Sequence, residues 1–491
     1  MHRFFLYLSI VTLFLFSCTQ REVPMSGSDY SDEPAEVSDE PTDVSDDPSD
    51  AASEEPAIEE DKYGVRYVFD SSVIPQIHIS VPLDQWNRLL DMYDANPLTK
   101  QYVQCDVTYK KGDEVTVIDK CGLRLKGHSS RRRPDLSEGH HVPGKLSHVH
   151  FALHFQKYID DKAHSLHGCK SIKLKWFNQD PSYAREIFCY DLFRRMGVWT
   201  AINCVYCRLW VKVEGDPEET YYGVYMLEEA INKRYLKERA AQFGRTDGNL
   251  WKCRYGAKLN LTVTSYGVDT GGDEEYVYEY KMDEKYYEDA RLQLRQFMLD
   301  LQKGDQAFHD WILESCDVAL LMKTYAINIA VGMWDDYWNN ANNYYLYFDS
   351  RDKDSFRFFF IPYDYDISMG VTADCAFQTD AVRQNPLEWG DYSNPLIRRI
   401  LKFDDFRSIF NETLLGLVAE TGEMSEAAGA RRIRQWQERI REYVANDTGE
   451  DMVIEDRPAL WSTHPEYRLT EDSENNFFRV KAESIRKYCT R

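Results

Sequence analysis

The alternation of apolar and polar stretches in the second half of the chain predicts a β-hairpin. Two apolar runs, 343–348 and 356–362, are separated by a polar cluster at 350–354. Aromatic and β-branched residues favour strands, and a short polar cluster between two such runs favours a chain reversal. Because hairpin strands are antiparallel, the residues just before the first strand and just after the second are expected to lie together.

The first half of the chain is predicted to be rich in strands. Runs of β-favouring residues predict strands at 74–81, 102–109, 114–118, 148–155, 170–176, 203–213 and 221–227. One helix is predicted at 82–93. A second is predicted at 180–196, with Asp180 as its cap, Pro181 at its first helical position and Gly197 at its end.

The second half is predicted to be richer in helices. Helical stretches are expected at 285–301, 316–331, 403–420 and 424–444. A strand-rich half followed by a helix-rich half predicts an α+β fold.

The first 18 residues are typical of a bacterial lipoprotein signal peptide. A basic residue precedes an apolar run that ends in Leu-Phe-Ser-Cys18. The run is short for a membrane span, which needs roughly 20 apolar residues. Residues 1–18 are therefore predicted to be a signal peptide with a lipobox. We expect an exported lipoprotein, attached through lipidated Cys18 to the membrane of the bacterial cell envelope.

Residues 19–61 have a different composition, with sixteen Asp or Glu against one Arg. A seven-residue repeat begins at Ser31, but Pro occurs in every copy, which excludes a coiled coil. Such a segment is predicted to be a disordered acidic tether. This tether accounts for most of the formal charge of −23. No basic stripe suggests a nucleic-acid partner.

Eleven cysteines are present, and an exported chain could pair some of them. Cys105 and Cys121 are one such pair, because they lie across a predicted hairpin. Cys204 and Cys207 form a C-x-x-C within a predicted strand, where side chains alternate in direction. These two thiols should therefore point to opposite faces, which disfavours a zinc or redox site.

Carboxylates and amides flank the predicted hairpin at both ends. Asp335, Asp336, Asn342 and Asn343 precede it, and Asp364 and Asp366 follow it. Carboxylate and amide oxygens that meet at one place suit a hard cation such as Mg²⁺. The alternative is that they are turn residues, in which Asp and Asn are common.

These segments resemble the CotH kinase family, the spore-coat-type atypical protein kinases. The resemblance is carried by Trp334-Asp-Asp-Tyr337, Asn343-Tyr-Tyr-Leu-Tyr347 and Ile361-Pro-Tyr-Asp-Tyr-Asp366. It implies that Asp335 is the catalytic Asp and that Asn343, Asp364 and Asp366 bind metal. Asp336 and Asn342 remain alternatives for Asp335 and Asn343. Tyr363 stands where the family usually has Trp.

The resemblance extends to the first half, through Arg124-Leu-Lys-Gly-His-Ser-Ser130 and the strand 170–176. It implies that Lys173 or Lys175 contacts nucleotide phosphates and pairs with Glu186 on the following helix. Glu228 is implied to lie near the adenine or ribose. Lys252 is implied to contact phosphate or substrate.

The implied fold is a two-lobed atypical protein-kinase-like fold, with a β-rich small lobe and a mainly helical large lobe. Residues 62–115 are expected to be an N-terminal β/α extension, 116–240 the small lobe, and 241–491 the large lobe with the catalytic hairpin. The implied activity is transfer of phosphate from ATP, with Mg²⁺, to Ser or Thr of a protein substrate. The alternatives are a non-catalytic surface or adhesion protein and a metal-dependent phosphoester hydrolase.

Overall fold

A computed structural model describes residues 64–262, 265–268, 276–373, 380–391 and 393–489, without the side chains of 397 and 398. The predicted leader, 1–18, and the predicted tether, 19–61, lie outside the described residues. The chain from Asp61 onward forms one compact unit. No helix in the described ranges is long and apolar enough to cross a membrane.

Seven strands close a barrel in the first half of this unit. They are β1 (Gln76–Val81), β2 (Val103–Lys111), β3 (Glu114–Lys126), β4 (His150–His154), β5 (Ser171–Lys175), β6 (Cys204–Val213) and β7 (Thr220–Glu229). Their order around the barrel is β1-β2-β3-β4-β5-β7-β6. The ring is closed by a parallel pairing between β1 and β6, whereas the other neighbours are antiparallel.

The barrel corrects the predicted domain division. The boundary expected at residue 115 falls inside β3, and strands from both sides of it share one hydrophobic core. The described part of the predicted extension, from residue 64 to 115, therefore supplies strands to the same barrel and is not separate from it. The closing contact joins strands that are more than 120 residues apart, which explains why local pattern could not reveal it.

Two short helices complete the barrel core. Helix α1 covers Gly64–Val68 and helix α2 covers Leu83–Ala95. Trp86, Leu89 and Leu90 of α2 are buried at the i, i+3, i+4 spacing of one helix face. They pack into the same core as the inward-facing side chains of the strands.

A second core lies under a five-stranded sheet with the order β12-β11-β8-β10-β9. These strands are β8 (Asn249–Cys253), β9 (Tyr266–Val268), β10 (Tyr278–Tyr280), β11 (Tyr344–Phe348) and β12 (Phe358–Pro362). The predicted hairpin is confirmed, since β11 and β12 pair in antiparallel register with Tyr344 opposite Pro362. The half expected to be mainly helical therefore also contains a sheet.

Helices surround this sheet. They are α3 (Arg185–Arg195), α4 (Lys233–Glu238), α5 (Ala240–Phe243), α6 (Tyr287–Asp300), α7 (Asp305–Ser315), α8 (Val318–Ala330), α9 (Tyr337–Asn340), α10 (Pro395–Ile400), α11 (Asp404–Leu417), α12 (Glu426–Ile440) and α13 (Phe477–Tyr488). Of these, α3, α6, α8, α11 and α12 lie close to predicted helical stretches. Helix α3 begins at Arg185 and not near Asp180. The Asp180 carboxylate nevertheless accepts bonds from the N–H groups of Ala184 and Arg185, at 3.1 and 3.0 Å. Mixed α+β content is confirmed.

The cysteine predictions can be compared with the two cores. Cys204 belongs to the core under the sheet and Cys207 to the barrel core, so the two thiols do point to opposite faces. Cys105 and Cys121 occupy directly opposed positions on β2 and β3. Both are buried free thiols in this structure.

The buried amine of Lys481 gives a prediction about stability. Its Nζ donates to the Ala381 carbonyl at 3.0 Å and lies 5.2 Å from the centroid of the Trp389 ring. Burial lowers the pKa of Lys481 to about 7, and Asp380 only partly opposes this. Between pH 7 and the usual lysine pKa, the unfolded chain binds more protons, so this residue makes stability rise with pH.

Lys481→Met is therefore expected to stabilise the protein, by about 2 kcal/mol at pH 6.5. The gain should shrink as the pH rises toward 10. Urea unfolding of the variant and the wild type at both pH values measures the difference. A gain that is the same at both values would contradict the explanation.

Candidate active site

The two ends of the hairpin bring together side chains that are distant in sequence. Asp335 precedes β11, and Asp364 and Asp366 follow β12. Asp364 and Asp366 both contact Lys175 Nζ, and a carboxylate oxygen of one lies within 4.8 Å of a carboxylate oxygen of the other. The Asp335 carboxylate accepts a bond from Nδ2 of Asn343 at 3.0 Å, directly before β11. Burial raises the pKa of Asp335, and the Asp364 carboxylate adds to that rise. The structure thus brings Asp364 and Asp366 together and places Asp335 at the same open end of the hairpin.

Asp335 is held by a set of amide donors. Its carboxylate accepts bonds from Nδ2 of Asn340 at 2.7 Å, of Asn342 at 3.1 Å and of Asn343 at 3.0 Å. Burial raises the pKa of Asp335, and these donors oppose the shift. Asn342 and Asn343 both reach Asp335, so geometry does not choose between them.

Asp336, the alternative to Asp335, has a structural role. Its Oδ1 accepts a bond from the Asn339 N–H at 2.8 Å and so caps helix α9. Its Oδ2 accepts bonds from Asn328 and from the Trp389 indole. The residue is only 3% exposed, and burial raises its pKa to about 7. These contacts give Asp336 a capping role, whereas the Asp335 carboxylate accepts bonds from the asparagine side chains just before β11.

Lys175 lies at the centre of three carboxylates. Its Nζ is 2.6 Å from Glu186 Oε2 and 3.2 Å from Asp366 Oδ2, and it also contacts Asp364. Burial lowers the pKa of Lys175, but the three acids outweigh it and hold the pKa well above its ordinary value. Of the two predicted strand lysines, Lys175 is therefore the one that pairs with Glu186.

The same three acids form a candidate cation site. One carboxylate oxygen from each of Glu186, Asp364 and Asp366 lies within 4.8 Å of the other two. A donor set made only of oxygen atoms suits Mg²⁺. Three acids face one lysine, and burial together with this crowding raises the pKa of Glu186 and Asp366. A divalent cation would relieve that excess of negative charge. The side chains of Asp364 and Asp366 are 32% and 35% exposed, so the site is open to solvent.

A second ion cluster lies beside the first. Glu228 Oε1 contacts Lys173 Nζ and its Oε2 contacts Lys126 Nζ, both at 3.0 Å. Burial raises the pKa of Glu228, but the lysines outweigh it and lower the pKa to about 2. Lys173 and Lys175 thus share a strand face but pair with different acids.

The Tyr363 side chain connects the lysines of the site. Its hydroxyl accepts a bond from Lys173 Nζ at 3.0 Å. The ring centroid lies 4.4 Å from Lys173 Nζ, 5.5 Å from Lys252 Nζ and 5.9 Å from Lys126 Nζ. Burial lowers the pKa of Lys252 well below its usual value.

Tyr363 and Lys126 are therefore site residues that the sequence did not identify. Each stands within a recognised motif, so the motif itself was the available signal. The motif alone does not show the packing that brings both side chains to Glu228 and Lys173.

A small cavity beside Lys175 has room for about one water molecule. Glu186, Asp366, Trp176 and Met226 are among the side chains that line it. The carboxylate cluster is thus closely packed on this side.

Comparison with known proteins identifies the family. A family model described as CotH kinase protein matches residues 124–476, which is more than half of the 491 residues. No curated protein matches the chain. The matched region contains each site residue described above, and the resemblance seen in the motifs is confirmed. The chain belongs to the CotH kinase protein family.

Proposed function

We propose that this protein transfers the γ-phosphate of ATP, with Mg²⁺, to Ser or Thr hydroxyls of a protein substrate. One observation carries the proposal. A buried ion pair, Lys175–Glu186, touches the acids that follow the hairpin, while amide-held Asp335 precedes it at the same open end. A lysine paired with a helix acid, next to metal-binding acids and a separate catalytic Asp, is the set of groups that phosphoryl transfer by kinases uses.

Each residue then has a role in binding or orientation. Lys175 contacts the nucleotide phosphates, and Glu186 fixes its direction. Lys173, Glu228 and Lys252 form the adjoining wall of the nucleotide site. Asn343, Asp364 and Asp366 hold Mg²⁺, with Glu186 as a further oxygen donor near them. The metal ion, when bound, neutralises charge on the phosphates.

Asp335 accepts or orients the proton of the substrate hydroxyl. Three amide donors hold its carboxylate in one orientation, and a positioned base needs such a fixed geometry. Its raised pKa makes the carboxylate a better proton acceptor than an exposed Asp.

The proposed architecture follows from these roles. The barrel serves as the small lobe, the sheet with its helices serves as the large lobe, and the nucleotide binds at the residues that both supply. Barrel residues Lys173, Lys175 and Glu228 face hairpin residues Tyr363 and Asp364, which supports this arrangement.

Nucleotide binding and transfer can be tested separately. We expect ATP with Mg²⁺ to raise the melting temperature of the protein, and ATP labelled at the γ-phosphate to label Ser or Thr of added casein or myelin basic protein. EDTA should abolish both effects. The proposal is contradicted if ATP with Mg²⁺ does not stabilise the protein and no protein is labelled, including the chain itself.

The second candidate is a non-catalytic surface protein of the same family. It is favoured by the position of Lys175, which already neutralises part of the carboxylate cluster, and by the small volume of the adjoining cavity. Stability that does not respond to ATP or Mg²⁺ would favour this candidate.

We further propose that the protein is held at the cell envelope through lipidated Cys18. The composition of 1–18 supports this. Metabolic labelling with an alkyne fatty acid should mark the wild type and should not mark Cys18→Ser.

A further inference from the structure

Four residues of helix α3, spread over its first two turns, contact the segment that follows the hairpin. Glu186 Oε1 accepts the Tyr365 N–H at 3.1 Å, and the Tyr190 hydroxyl accepts the Asp364 N–H at 2.8 Å. Cys189 Sγ and Ser368 Oγ are 3.3 Å apart, and Arg185 Nε donates to the Met369 carbonyl at 3.3 Å. The helix and the acidic segment are therefore held together along their length.

The contact at Asp364 differs from the others because of the backbone there. Asp364 has a φ of +63°, in the left-handed region that costs a residue with a side chain roughly 1–2 kcal/mol. A backbone N–H in a packed site also needs an acceptor. The Tyr190 hydroxyl supplies that acceptor, so it compensates for both costs at this one residue.

The ring of Tyr190 is well placed to hold this hydroxyl still. Tyr190 is fully buried in the core under the sheet. Its ring packs edge-on against that of Tyr365, with centroids 5.9 Å apart. The hydroxyl position is therefore set by ring packing and does not depend on the hydrogen bond itself.

We propose that Tyr190 is a positioning residue, which through its bond to the Asp364 N–H keeps the Asp364 carboxylate directed at the cation site. The proposal rests on the proposed function only in taking Asp364 as a metal ligand. A change of φ at Asp364 would turn its side chain away from Lys175 and Asp366. Cation sites need their ligands within a few tenths of an ångström, so a small rotation should weaken binding.

The test uses Tyr190→Phe, which keeps the buried ring and removes only the oxygen. Mn²⁺ binding to the full mature protein is measured by electron paramagnetic resonance, with and without ATP. Loss of one hydrogen bond predicts Mn²⁺ affinity about fivefold weaker than in the wild type. The Mg²⁺ concentration that gives half-maximal phosphate transfer should rise by a similar factor, with little change in kcat.

Tyr235→Phe is the matched control. Tyr235 is also a buried tyrosine, and its hydroxyl donates to the Thr200 carbonyl at 2.6 Å. This variant loses a comparable hydrogen bond but has no contact with Asp364, so its Mn²⁺ affinity should equal that of the wild type.

The outcomes separate this inference from the proposed function. Weaker Mn²⁺ binding in Tyr190→Phe alone supports the inference, even when the wild type transfers no phosphate. Equal Mn²⁺ affinity in Tyr190→Phe and the wild type overturns it. Equal weakening in both variants overturns it too, since that indicates general loosening. A wild type that binds no Mn²⁺ in either condition also overturns it.

Discussion

Asp335→Ala is expected to lower the rate of phosphate transfer by about 10²- to 10⁴-fold, the usual contribution of a positioned base. Nucleotide affinity should change by less than about threefold, because the residue meets the substrate hydroxyl and not the nucleotide. Three asparagine side chains that now donate to this carboxylate can turn to water. The protein should therefore stay folded. Single-turnover transfer and ATP titration together measure the two effects.

Asp336→Ala is the matched control, since it alters the adjacent acid. Removing the cap of α9 and the acceptor for two buried donors should cost about 2 kcal/mol of stability. The folded fraction should keep most of its activity. A fully active Asp335→Ala together with a folded but inactive Asp336→Ala would reverse the assignment of the two residues.

Lys175→Met is expected to have the largest effect on stability. Removing the cation from a buried pair leaves Glu186 unpaired among two other acids, and such changes cost on the order of 3–5 kcal/mol. The cost should lie toward the lower figure, because Asp364 and Asp366 are partly exposed and solvent screens them. Urea unfolding in EDTA measures this loss.

Magnesium should reverse part of that loss. With Lys175 absent, the three acids have no internal counter-charge, so a bound divalent ion stabilises the variant more than the wild type. Lys173→Met is the control, because Glu228 keeps Lys126 as a partner. If Mg²⁺ stabilises both variants to the same degree, the three acids are not the cation site.

The hairpin and its acids could be predicted because their signals are local. Dense aromatic runs specify β11 and β12, and antiparallel pairing brings Asn343 to the end of the hairpin where Asp364 lies. Asp335 reaches that end through its bond with Asn343. The assignment of lysines could not be made in the same way. Lys173 and Lys175 are two residues apart and lie on the same face of β5. Which acid each lysine contacts is decided by how α3 and β7 pack against that strand.

Tyr363 shows a related limit. Its motif indicates a position near the site, where Tyr363 stands in place of the family's usual Trp. The hydroxyl bond to Lys173 and the ring contacts with three lysines arise from packing among β5, β8 and β12. The short strands β9 and β10 could not be predicted either, because three-residue strands give no measurable periodicity. Helix α13 is missing from the prediction although its buried residues recur at helical spacing.

The closure of the barrel has a practical consequence for recombinant fragments. The family match begins at 124, inside β3, and stops at 476, one residue before α13. A fragment cut to those limits lacks β1 and β2, so β6 and the remainder of β3 keep bare edges, and exposed edges promote aggregation. It also lacks Phe477 and Phe478, which are buried in the full chain. Expression of 124–476 should give insoluble protein and expression of 62–491 soluble protein. The region that matches the family model is then smaller than the unit that folds.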